Sequence, residues 1–131
     1  MNNRIDTSGW SAYTTRGDTK ADDLASYLYD AAKFHLPGQR LRTDYADGDP
    51  DLAADFYILR QIIPPSVLVE NFFMDSRHDC HFLLSESGQQ AIVNLHVDGI
   101  IRNLSTVTSY NSWGLLWKRM LIFVCLNFES L

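Results

Sequence analysis

Residues 91–104 run Ala-Ile-Val-Asn-Leu-His-Val-Asp-Gly-Ile-Ile-Arg-Asn-Leu, and the fold turns on how Asp98-Gly99 is taken. An Asp-Gly pair between apolar residues is a strong short-range hairpin signal, because both central residues of the tight turn need positive φ. Taken that way it pairs Val97 with Ile100, Leu95 with Arg102 and Val93 with Leu104. A looser turn at Glu86-Ser87-Gly88-Gln89 then sets Phe82 opposite Val93 and Cys80 opposite Leu95, in agreement with the first. One face of these strands collects Cys80, Phe82, Val93, Leu95 and Val97, while the other carries Asp79, His81, Asn94 and His96. The expected strands are 80–85, 90–97 and 100–108, and the apolar run ending the chain adds a fourth over 120–128.

Upstream, the pattern changes to helical spacing. Asp18 or Thr19 can cap a segment in which Ala21, Leu24, Ala25, Leu28, Ala31 and Ala32 recur on one face, until Leu36-Pro37-Gly38 stops it. That predicts a helix over 20–35. Asp49-Pro50-Asp51 has the form of an N-cap, a first-turn proline and a helix-start acid, predicting a second helix over 50–62 that Pro64-Pro65 ends. Ser66 can cap a third over 66–74. The expected class is α+β, with N-terminal helices packed on one face of a C-terminal antiparallel sheet of three to four strands. Ser112 offers a competing start for a helix carrying Trp113 and Trp117.

With 131 residues, 1–131 is expected to form a single globular domain. The balance is acidic: 16 acids against 11 bases give a net charge of −5, which repels phosphate backbones and argues against direct nucleic-acid binding. The polar start (MNNRIDTSGW) resembles neither a secretory signal nor a transit peptide, and the run Met120–Leu126 is far too short to span a bilayer, so a cytoplasmic location without membrane contact is expected. Two cysteines, Cys80 and Cys125, fit buried thiols better than a disulfide framework or a zinc site. The chain has no Gly-rich phosphate loop, nucleophile elbow or HExxH, so no cofactor is expected.

Charge patterning carries the functional expectation. Asp44, Asp47, Asp49, Asp51 and Asp55 fall within twelve residues that contain no lysine or arginine. A calcium loop on Asp47, Asp49 and Asp51 fails in detail, because Leu52 stands where the turn glycine belongs and Ile58 where the bidentate glutamate belongs. The cluster is therefore expected to bind a partner: a basic protein, such as a nuclease or other nucleic-acid-handling machine, reached by electrostatic steering. On this basis the protein is expected to be a non-enzymatic acidic interaction module, an inhibitor, immunity or anti-defence protein of phage or mobile-element type. Asp79, His81, Asn94 and His96 form a secondary candidate surface, and an apolar terminal strand offers a route to a homodimer. The alternative is a small cone-shaped ligand-binding protein or enzyme in which Asp79 orients His96 or His81 as general base.

Overall fold

The computed structural model describes residues 7–110 and 121–127, with side chains through residue 106. Its elements are β1 (Trp10–Thr14), α1 (Lys20–His35), β2 (Leu52–Ala53), α2 (Tyr57–Arg60), β3 (Ser66–Phe73), α3 (Arg77–Leu84), α4 (Glu86–Tyr110) and β4 (Leu121–Asn127). The strands form one mixed sheet in the order β2-β1-β3-β4. β1 runs antiparallel to β3, whereas β2 lies parallel to β1 and β4 parallel to β3.

The first helix lies where its spacing puts it. Thr19 caps α1 in a reciprocal capping box with Asp22, and Ala21, Leu24, Ala25, Leu28, Ala31 and Ala32 are buried along one stripe. That stripe packs against Trp10 and Ala12 of β1 and Val67 and Val69 of β3, which share one side of the sheet by strand alternation. Leu95 of α4 completes the same core.

Most of the expected architecture is overturned. The three strands expected over 80–85, 90–97 and 100–108 are helical: α3 covers the first, and the 25-residue α4 covers the other two and the Asp98-Gly99 pair between them. Buried Leu95, Gly99 and Asn103 recur every four residues along α4, as a helix seated on α1 requires. Val93, Val97, Ile101 and Leu104 form a second, exposed apolar stripe. Two apolar stripes on one helix, offset by two residues, imitate the alternation of a strand.

The expected helices over 50–62 and 66–74 also give way. Only Tyr57–Arg60 makes a helical turn in the first, and Leu52–Ala53 instead pairs parallel with Tyr13 and Thr14. The second is β3, a central strand with partners on both edges and buried on both faces except at Glu70. A strand covered on both sides is a continuous apolar run, which periodicity alone cannot separate from a buried helix. Pro64-Pro65 precede it directly, and the Ser66 hydroxyl donates to the Pro64 carbonyl at 2.8 Å rather than capping a helix. The sheet is thus mixed, and the two long packing helices flank β3 in sequence rather than both preceding it. β4 falls within the expected 120–128 and is an edge strand. Ser112, Trp113 and Trp117 lie outside the described residues.

Candidate active site

Glu70 is the only charged residue in the four described strands. Because Val67 and Val69 face α1, alternation turns Glu70 to the opposite side of the sheet, where antiparallel register sets it beside Ser11. The Ser11 hydroxyl points to Glu70 Oε2 at 3.4 Å. Tyr13, two residues along β1 on the same face, has a phenol held above its ordinary value by burial and by the Glu70 carboxylate, with the Arg42 guanidinium opposing. Arg42 stacks over the Phe73 ring, 5.2 Å from its centre, and its backbone N–H donates to the Trp10 carbonyl at 2.8 Å. A half-buried carboxylate, a hydroxyl, a protonated phenol and a guanidinium therefore meet on one side of the sheet. These groups can hold a proton and stabilise a developing oxyanion.

The strand end that carries Glu70 is fixed from three directions. Trp10 Nε1 donates to Asn71 Oδ1 at 2.9 Å across the buried face, holding β1 and β3 in register. Phe72 adopts a left-handed backbone at φ 65°, where the β3–β4 register shifts between Glu70 and Phe73. An αL residue other than glycine costs ~1–2 kcal/mol, and here the fully buried Phe72 ring offsets it by packing on Phe82 at 5.0 Å. Asp79 then locks the turn: its Oδ2 accepts the Gly9 N–H at 2.8 Å and the Phe73 N–H at 3.1 Å.

That clamp accounts for one residue of the secondary surface and dissolves the surface itself. Asp79 is buried at the start of α3, with His78 Nδ1 3.1 Å from its Oδ1. His81 is exposed on the same helix, and Asn94, exposed on α4, accepts from Gln90 at 2.8 Å. His96 Nδ1 donates to the Ile92 carbonyl at 2.7 Å, and burial holds its imidazole below the ordinary value. The carboxylate–imidazole pair expected between Asp79 and His96 is not formed, since each is engaged elsewhere.

The aspartate cluster divides as well. Asp44 is exposed and accepts the Ala46 N–H at 3.0 Å in a local turn; Asp47 is exposed; Asp55 is exposed and pairs with Arg60 at 3.2 Å. Asp49 and Asp51 turn inward instead. Asp51 is 3% exposed and accepts the Thr14 hydroxyl at 2.6 Å, and an oxygen of each lies within 4.8 Å of one on Asp22 of α1. Among the described residues this is the only cluster with metal-ligating geometry, and it does not include Glu70.

Glu70 escaped notice because the segment Val67–Met74 was expected to be helical, where one acid among apolar residues is unremarkable. The available signal was a single charge inside Val67-Leu68-Val69-Glu70-Asn71-Phe72-Phe73, a run that starts one residue after two prolines.

Comparison with known proteins gives the family of the chain. The sequence profile of the N-acetylmuramoyl-L-alanine amidases matches residues 1–102. N-acetylmuramoyl-L-alanine amidase AmiC2 of Nostoc punctiforme is 27% identical with a TM-score of 0.65, covering 80% of this chain and 53% of that one. The CwlD amidase of Clostridioides difficile, solved in complex with the GerS lipoprotein, shares the fold at 21% identity and a TM-score of 0.59, over 76% of this chain and 48% of that one. The chain thus spans about half the length of these solved amidases. No curated protein matches it. The match to an amidase family overturns the expectation of a non-enzymatic inhibitor, immunity or anti-defence module, and with it the basic nucleic-acid-handling partner. The acidity that suggested steering is partly internal, since Asp51 is buried and Asp49 Oδ1 is shut off from solvent. From Glu70 on a central strand to the helix pair behind it, the chain belongs to the N-acetylmuramoyl-L-alanine amidase family.

Proposed function

We propose that this chain supplies the hydrolytic carboxylate of a peptidoglycan amidase, with Glu70 acting on the amide that joins the lactyl carbonyl of N-acetylmuramic acid to the amino group of L-alanine. The family match supports the substrate class, and the isolation of Glu70 as the one charge of the described strands supports its role. In that reaction a water oxygen bonds to the amide carbon while its proton passes to Glu70. The C–N bond then breaks, and the same proton goes to the departing alanine nitrogen. Ser11 hydrogen-bonds to the carboxylate and orients it, while Tyr13, whose phenol interacts electrostatically with both Glu70 and Arg42, and Arg42 itself supply donors for the oxyanion.

Glu70→Gln keeps the size and loses the proton acceptor. Digestion of purified peptidoglycan, followed by labelling of newly freed alanine amino groups, should show release by the variant lowered ~100-fold or more with an unchanged circular dichroism spectrum. Equal release by wild type and variant would sink the assignment.

A further inference from the structure

Three carboxylates converge, and no ion pair among the described residues meets them. Asp22 is the third residue of α1 and is held by its capping box: the Thr19 N–H donates to Oδ2 at 2.6 Å. Asp51 is brought beside it because Leu52–Ala53 pairs parallel with Tyr13–Thr14, which sets the Thr14 hydroxyl 2.6 Å from Asp51 Oδ2. Asp49 reaches the same place across Pro50, and one oxygen from each of the three lies within 4.8 Å of the others.

Two oxygens of these carboxylates are unusual. Asp51 Oδ1 and Asp49 Oδ1 are both shut off from solvent, and neither has a hydrogen-bond partner. Asp51 as a whole is 3% exposed. None of the ion pairs among the described residues involves Asp22, Asp49 or Asp51. Buried carboxylates of this kind are normally paired or bound to a metal.

We propose that Asp22, Asp49 and Asp51 form a site for a hard divalent cation of the calcium class, with the Thr14 hydroxyl beside it. Calcium binds oxygens at roughly 2.3–2.6 Å in flexible geometry, so ligand oxygens around it stand no more than ~4.6–5.2 Å apart, and the three carboxylates, all within 4.8 Å of one another, meet that limit. Magnesium draws its ligands in to ~2.0–2.1 Å and keeps more of its water, so it fits this three-carboxylate cage less well. The set differs from the loop pattern that the sequence fails to satisfy: Asp47 is outside it, and Asp22 enters from a helix about thirty residues earlier. Bound there, the ion would tie the 44–55 segment to β1 and α1. It is independent of the role given to Glu70.

The test is calcium titration of the chelator-treated full chain at pH near 7.5, by calorimetry and by thermal unfolding, with magnesium and potassium as controls. The expected results are one-to-one calcium binding, a midpoint that rises with calcium and much less with magnesium, and at least tenfold weaker binding in Asp51→Asn and in Asp49→Asn. If a variant does not fold, terbium luminescence on the wild-type chain, with competition by calcium, decides the matter alone. No heat and no midpoint shift at millimolar calcium would overturn the proposal and leave two carboxyls sharing a proton; so would equal binding by the wild type and both variants.

Discussion

Gly99 of α4 lies so close to α1 that a Cβ at that position would come within 2.8 Å of Leu28 Cδ2 and 3.0 Å of Leu28 Cα. The glycine that looks like half of a hairpin turn is therefore the contact point of two long helices. Its neighbour Asp98 adds to the same junction, binding Arg102 at 2.9 Å on its own helix and lying 3.3 Å from His35 at the end of α1. Gly99→Ala should gain ~1 kcal/mol of helix propensity and lose more to overpacking, which typically costs ~1–3 kcal/mol. Because one of the two nearest atoms is backbone, rotamer changes cannot relieve the clash. A net loss of ~1 kcal/mol or more should appear in urea denaturation. Leu28→Ala in the same chain removes the Cδ2 contact, so the double variant should lose less than the sum of the singles.

That pair of residues also explains how far the sequence could be followed. Asp-Gly is a hairpin signal only where the chain reverses. Nothing local distinguishes a glycine needed for positive φ from one needed because another helix passes close by. The first helix was legible since Thr19, Asp22 and the Ala/Leu stripe all agree on it. β3 was not, because its two buried faces remove the alternation that marks a strand. The site inherited that error: Glu70 became visible only once its strand was in place, whereas the aspartates were conspicuous at once but their inward turn depends on the pairing of Leu52–Ala53 with β1.

Tyr13 should act as a donor rather than as a base. Burial and the neighbouring Glu70 carboxylate raise its phenol above the ordinary value of 10.0, so it stays protonated throughout the neutral and mildly alkaline range. Tyr13→Phe keeps the ring and its edge-on contact with Phe56 at 5.2 Å while removing the O–H. Loss of an oxyanion donor should lower kcat about tenfold or more, equivalent to ~1.4 kcal/mol, with KM little changed. Steady-state rates on peptidoglycan fragments measure the split, and a change confined to KM would assign Tyr13 to substrate binding instead.

Asp79 is expected to matter for stability through two backbone amides. Asp79→Ala strands the Gly9 and Phe73 N–H groups in the interior. Each unsatisfied buried donor costs ~1–3 kcal/mol, so a loss of ~2–6 kcal/mol is expected in chemical denaturation. Asp79→Asn preserves shape and one acceptor oxygen and should lose less than half as much. Equal losses in the two variants would mean that charge, and not the acceptor, is what the site requires.

His96 gives the fold a weakness toward mild acid. Burial lowers its imidazole below the ordinary 6.5, so the folded chain holds it neutral where the unfolded chain is already protonated. The unfolded state then binds more protons, and stability must fall as pH drops from about 6.5 toward the lower folded value. The stabilisation is fully present above that window and is lost on acidification, before most carboxylates titrate. His96→Phe removes the titrating group at similar volume and gives up only a side-chain bond to the Ile92 carbonyl of the same helix. Urea midpoints between pH ~7.5 and ~5 should therefore decline less steeply in the variant than in the wild type. Parallel slopes would show that the acid sensitivity belongs to other groups.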